Sequence, residues 1–515
     1  KILLLVIKQV NNITGGYSTL LGYHAGYNAK TDFNTAIGWS AMSKIGDTAG
    51  SGHGENNVAI GPGAMAGGDD TVANNNGMKN IAIGTSTLGG ATRSSDGAAF
   101  TAYENVAIGN SAGTNVSTSY RSVIIGASAG DAITTTAGVV LIGYGAGGAI
   151  NHDDAAYTIA IGQSAGAAIT SGRYQTLVGY RAGISITEGD SNTFVGYETG
   201  DALTTGLDNV AVGQNALGAN QTGQRSVAIG NYALYSNTTS GWTKNTAVGA
   251  NALSSIVSTT GNTAVGYHAG YSSVLGAENT LVGAESGYYL VGSDSVHIGF
   301  QTGYYATGSN NTFVGSEAGK GGQTSAPFSS GTNNVAMGSE ALKNFTTGYN
   351  NNIIGYRAGN FTTTGFTNQY IGYYAGYRNT TGRANVAIGA NSQQGVSGQT
   401  TGQYNVSLGE NSLFGLTTGN HNFAVGANAG YSLTSGENNI IMGATAGDAL
   451  TTTSNTVIIG RAAGTAINSA DANGTVLLGA YAGTALTNGQ ESVLIGVQAG
   501  QTLTTGDANT AVGTY

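Results

Sequence analysis

An aliphatic residue followed by glycine returns along the whole chain, as in Asn34-Thr35-Ala36-Ile37-Gly38, Asn192-Thr193-Phe194-Val195-Gly196 and Asn509-Thr510-Ala511-Val512-Gly513. There are 28 copies, the first ending at Gly22 and the last at Gly513, and 16 of the 27 intervals between them are 17 residues. Three intervals are 16 residues and the other eight run from 19 to 25. A period sustained over 515 residues means that one small unit is stacked many times, which overrides the three or four globular domains expected of this length.

The residue before the glycine is Ile, Val, Leu or Met in every copy, and the third residue after it is Ala, Ser or Thr in all 27 copies that extend so far. Both positions are expected to face tight packing. Asn stands four residues before the glycine in 18 copies. A weaker element follows, an apolar residue seven positions on and then Thr-Thr-Gly, as in Leu203-Thr204-Thr205-Gly206 and Leu416-Thr417-Thr418-Gly419. β-Branched residues fill both runs, and the Gly, Asn and Asp between them supply the positive φ that tight turns need. With 87 glycines, only a few stretches reach ordinary helix length without a breaker, among them residues 1–14, 114–125 and 149–161.

Each unit therefore reads as one coil of an all-β parallel β-roll or β-solenoid, with two short strands per coil and like strands stacked in parallel. At roughly 4.8 Å per coil the array is on the order of 130 Å long. The expected organisation is a leading strand or cap over residues 1–17 and a continuous repeat array over 18–515, with insertions near 39–104, 316–334 and 390–404. Residues 2–7, Ile-Leu-Leu-Leu-Val-Ile, are too short to span a bilayer and read as a buried first strand, with the tail of a signal sequence or a donated strand as alternatives. The last copy stops inside a coil at Thr514-Tyr515, which fits a longer molecule or end-to-end joining.

Charged residues are 8% of the chain against about 25% in ordinary domains, so the surface must be mainly Thr, Ser, Asn, Gln, Gly and Tyr. A net charge of −9 with 17 Lys and Arg argues against nucleic acid or an anionic membrane as partner. The absence of cysteine removes disulfide and thiolate chemistry. Such a surface suits an extracellular fibre.

In the strand before the glycine, the residues one and three positions back share a face, and the one between them points the other way. That middle residue is Ala in 13 copies but Leu, Ile or Phe in many others, for example Leu177, Phe194 and Ile441. A strand apolar on both faces is covered on both sides. The expectation is that the flanking pair forms the core while the middle residue meets neighbouring copies of the chain, with the Thr-Thr strand outside. The Asn-Val-Ala-Ile-Gly core, seen at Asn57–Gly61, Asn105–Gly109 and Asn385–Gly389, resembles the head-domain repeats of bacterial trimeric autotransporter adhesins. Variants such as Gly266-Tyr267-His268-Ala269-Gly270-Tyr271 resemble repeats of phage tail fibres. The resemblance covers essentially the whole chain and implies an extracellular homotrimer of left-handed β-rolls used for attachment to a cell-surface glycan or protein receptor.

Gly109-Asn110-Ser111-Ala112-Gly113, Gly126-Ala127-Ser128-Ala129-Gly130 and Gly162-Gln163-Ser164-Ala165-Gly166 match the nucleophile-elbow pattern, but each Ser is the second turn position of the repeat, where other copies carry His24, Arg181 or Glu340. Neither catalysis, a cofactor nor a metal is expected. Tyr clusters one residue after the repeat glycine (Tyr267, Tyr373) and five after it (Tyr271, Tyr377), where stacked coils would line the rings into strips able to meet sugars. The consecutive long insertions over 39–104 suggest a lateral knob carrying Trp39, His53, Asp69, Asp70, Arg93 and Tyr103. Besides an attachment fibre, the repeat admits a self-assembling head-to-tail filament, or ice binding through a Thr ladder with one Thr of each pair inward and one outward.

Overall fold

The computed structural model describes residues 17–29, 32–45, 54–67, 76–89, 99–238, 240–257, 259–272, 276–325, 327–396, 398 and 400–515. It is an all-β parallel β-solenoid with a repeat of about 17 residues, built as two compact units, residues 1–261 and 262–515. In the first unit thirteen three-residue strands, Thr19–Leu21 to Thr246–Val248, pair in parallel and in register, each with the equivalent strand of the next coil. Fifteen strands do the same in the second unit, from Thr263–Val265 to Thr510–Val512. Register follows the repeat, so that Phe194 lies beside Leu177 and Ala211. A three-residue strand has no stability alone; here it donates to the coil on either side, as Thr193 does to the Asn209 carbonyl at 2.9 Å and Gly196 to that of Val178 at 2.8 Å.

The repeat glycine cannot be replaced by any other residue without moving backbone. Gly196 has φ +143°, and a Cβ there would lie 2.6 Å from the carbonyl oxygen of Gly213 in the next coil. Asn, four residues earlier, has a different duty. Its amide donates to a carbonyl of the next coil, while its oxygen accepts the backbone N–H of the next Asn, giving an unbroken buried ladder through Asn311, Asn334, Asn351, Asn368, Asn385, Asn405, Asn422 and Asn439. Asn368→Asp keeps the shape but turns its donors to Asn351 Oδ1 (3.1 Å) and the Gly382 carbonyl (2.8 Å) into acceptors. The expected loss is about 3–5 kcal/mol at neutral pH, and it lessens in acid as the carboxyl protonates; chemical denaturation at two pH values measures it.

The facing of the strand is the reverse of the sequence expectation. The middle residue points into the coil and is fully buried, as Ala211, Phe194 and Ile458 are, whereas the residues one and three before the glycine face outward and remain half-exposed or exposed. The reason is volume. One coil encloses a column only wide enough for a single strand residue, the small residue at position +3 (counting the repeat glycine as 0), the residue at +4 and the apolar residue at +7. The middle residue and position +4 therefore share one space. Wherever the former is Leu, Ile, Phe, His or Tyr, the latter is Gly; wherever the latter is Leu, Met or Gln, the former is Ala or Ser. A Cβ on Gly200 would sit 2.3 Å from the Phe194 ring, and one on Gly376 2.4 Å from that of Tyr370.

The Thr-Thr-Gly segment is also not a second strand. It forms a bend in most coils, and extended pairing on that side among the described residues is confined to Gly223–Gln224 with Gly241–Trp242 and to isolated bridges. The first Thr is half-buried and its hydroxyl donates to the coil above, Thr204 to the Gln221 carbonyl (3.0 Å) and Thr434 to that of Thr451 (2.9 Å), while the second is exposed. Neither enters the core. Insertions leave the coil on this side: Asp153–Ala155 and Ala470–Ala472 form single 3₁₀ turns here, and residues 316–334 bring Ser329 beside Ala306. Among the described residues no insertion interrupts the outward face of the strand.

Candidate binding site

Seven successive coils of the second unit, with repeat glycines from Gly266 to Gly372, each carry a large polar or aromatic side chain at the same turn position. At position +2 stand His268, Glu285, Gln301, Glu317, Glu340, Arg357 and Tyr374, all held in the left-handed turn conformation with φ between 50° and 57°. That conformation aims each side chain along the stack toward the same position of the next coil, and the groups join. Gln301 donates to Glu285 (2.7 Å), Lys320 to Gln301 (2.7 Å) and to Glu317 (2.6 Å), and Lys343 to Glu317 (2.6 Å). Arg357 forks onto both oxygens of Glu340 (2.9 and 3.1 Å) and donates to the Tyr374 hydroxyl (3.0 Å).

Charge is balanced along the column, with three acids and three bases. Burial raises the Glu317 carboxyl, but the bonds from Lys320 and Lys343 outweigh it and leave its pKa below the usual range. The Glu340 bond holds the Arg357 guanidinium firmly protonated. His268 is lowered by burial, opposed by Glu285.

Aromatic rings flank the column. Tyr271, Tyr288 and Tyr304, at position +5, stack with centroids 5.1 and 4.9 Å apart, and beside them Tyr289 and Tyr305 stack at 5.7 Å with Phe328 of the insertion 4.5 Å from Tyr289. Tyr356 and Tyr373, at +1, stack at 5.6 Å, and Tyr377 meets Tyr374 edge-on at 4.7 Å. Burial pushes the Tyr304 hydroxyl up to about 12. Ring faces are therefore largely covered by each other, and edges and hydroxyls make up most of what the strip presents.

Tyr267 and Tyr271 lie at one end of this strip and Tyr373 and Tyr377 at the other, so the structure joins two separately identified Tyr clusters into one surface. Sequence reasoning missed the column between them because the spacing from Glu317 to Glu340 is 23 residues, which hides their common position; subtracting the insertion recovers it. Trp39 is exposed at position +1 of its coil, and Tyr103 stacks on Tyr120 at 5.0 Å, six residues before its own repeat glycine. These two occupy opposite ends of the strand segment. His53, Asp69, Asp70 and Arg93, like residues 1–16, lie outside the described residues. A further exposed aromatic not anticipated is Trp242, with Arg225 4.4 Å and Lys244 5.2 Å from its ring centroid.

Ser111, Ser128 and Ser164 are left-handed turn residues, and the Ser111 hydroxyl donates to Asn110 (3.0 Å). Among the described residues no three His, Asp or Glu side chains gather as a metal site, and no helix is long and apolar enough to cross a membrane. No family model matches the chain, and no curated protein is significantly similar to it.

Proposed function

We propose that the chain is the shaft of an extracellular attachment fibre in which three left-handed coils pack about a common axis through the outward faces of their strands. The outward aliphatic face carries this reading. None of the 28 copies has a charged residue at either outward strand position, and Val210, Val212, Ile229, Ile440 and Met442 lie exposed there, on a face that no insertion crosses among the described residues. The residue before the glycine is aliphatic in every copy, and the one two places earlier is Val or Ile in 16 of the 28 and Thr in most others. Half-exposed and exposed side chains on this face thus amount to on the order of a thousand Å² of mainly apolar surface per unit, more than an isolated soluble chain ordinarily leaves open. A second copy is the occupant that offers the same spacing, length and chemistry. The paucity of charge and the ladder of internal hydrogen bonds suit exposure to proteases, and the lateral bends and turns are left to meet a receptor.

Native mass by light scattering is expected at three times the chain mass. Val210→Lys combined with Val212→Lys places two charges on the buried face and is expected to weaken assembly about a hundredfold or more while each chain keeps its β-sheet circular dichroism. A wild-type monomer at micromolar concentration would sink the fibre reading.

A further inference from the structure

The strip between Gly266 and Gly372 allows the attachment reading, on which this step rests, to be narrowed. We propose that it binds an uncharged linear polysaccharide whose chain runs along the stack of coils, its hydroxyls meeting Glu285, Gln301, Glu340 and Arg357 and its C–H edges meeting Tyr304 and Tyr356.

Three observations carry this. First, the column concentrates three carboxylates, an amide and a guanidinium in a chain with few charged residues, yet its charges cancel: Glu317 and Glu340 are engaged by Lys320, Lys343 and Arg357, and Glu285 is held by Gln301. A polyanion finds Lys320, Lys343 and Arg357 already paired, and a polycation finds Glu317 and Glu340 paired, with Glu285 the one acid held by an amide rather than by a cation. Planar carboxylate, amide and guanidinium groups retain lone pairs and N–H groups after these bonds, and they suit the paired donors and acceptors of neighbouring sugar hydroxyls. Second, the side chains are fixed by one another before any ligand arrives, which lowers the entropy lost on binding. Third, the strip is periodic. It offers one polar group per coil at the inter-strand spacing, about 4.8 Å, with aromatic edges alongside. A linear polysaccharide advances by a comparable distance per pyranose unit and presents hydroxyls and apolar C–H faces in alternation. The surface of an ordinary globular protein has no such long repeat.

Affinity electrophoresis in native gels containing hydroxyethyl cellulose, glucomannan or galactomannan, with hyaluronate and chondroitin sulfate as charged probes, tests this on the full chain. The expected result is retardation by at least one neutral polymer, unchanged between about 0.05 and 0.5 M salt because no net charge is involved. Gln301→Ala and Arg357→Ala each weaken retention about tenfold or more. Tyr304→Phe, which removes only a hydroxyl and leaves the packing, weakens it less but measurably. The double change Tyr180→Ala, Tyr197→Ala, on the stacked pair of the first unit, leaves it unchanged. Retention by the charged gels alone, equal retention of the Gln301, Arg357 and Tyr304 variants, or no retention in any neutral gel overturns the proposal. The fibre reading fails on a separate measurement, the native mass, so a retained monomer would remove that reading and leave this one.

Discussion

Replacing Phe194 by alanine is expected to cost about 3–5 kcal/mol, replacing Gly200 by leucine at least as much, and making both changes together to restore stability to within about 2 kcal/mol of the wild type. Each single change violates the volume of one coil in an opposite sense. Phe194→Ala leaves a ring-sized void in a column whose neighbours, Leu177 and Ala211, are pinned by strand register and cannot collapse into it. Gly200→Leu drives atoms into the Phe194 ring, since even a Cβ would approach it to 2.3 Å. The double variant reproduces the arrangement already present one coil on, where Ala211 accompanies Leu217 at φ +58°, nearly the +59° of Gly200. Leucine in that backbone conformation costs about 1–2 kcal/mol, which sets the residual loss. The coupling would exceed the 0.5–3 kcal/mol usual between contacting residues. Because a solenoid need not unfold in one step, hydrogen exchange at residues 193–217 should accompany chemical denaturation. Additive costs in the double variant would refute a shared space.

The same pair explains which parts of the fold were legible in the sequence. The period was visible because the repeat glycine approaches backbone in the next coil so closely that it tolerates no side chain, leaving an invariant mark. The direction of the strand was not. Val210-Ala211-Val212 is apolar on both sides, and hydrophobicity alone cannot say which side is enclosed; the deciding signal is that residue size at 194 or 211 varies inversely with size at 200 or 217, a correlation six residues apart rather than a pattern within the strand. The Thr204-Thr205 run misled for a related reason. β-Branching favours an extended backbone, but the hydroxyls here bond to the stacked coil and the chain bends, a tertiary demand that overrides a weak propensity. Along the candidate strip the Tyr positions repeat and could be read directly. Glu285, Gln301 and Glu317 are chemically dissimilar residues that share only a turn position, and nothing in a residue-type pattern marks them as one column.

Acid should weaken the second unit through His297. This histidine takes the enclosed middle position of its strand, fully buried and stacked on Phe313 at 5.0 Å, with neither ring nitrogen hydrogen-bonded. Burial lowers its pKa from 6.5 to about 3, so the folded chain keeps it neutral while the unfolded chain protonates it below about 6.5. Between these values the unfolded state binds the extra proton, and stability rises with pH. The contribution is intact above pH 6.5, falls as pH drops through the unfolded value and bottoms out near pH 3, for a total on the order of 5 kcal/mol. His297→Phe should remove this dependence and stabilise the unit even at neutral pH by eliminating a buried, unbonded polar ring. The replacement fits, because Phe194 and Phe313 occupy the same position in other coils and Gly303 leaves the required room, as Gly200 and Gly319 do there. Unfolding midpoints of wild type and variant across pH 3.5–7.5 give the test: the two curves should converge above pH 6.5 to a small constant offset and diverge steadily below it. Parallel curves would mean that His297 is not enclosed in the folded chain, and would reopen the inward assignment of the middle residue in that coil.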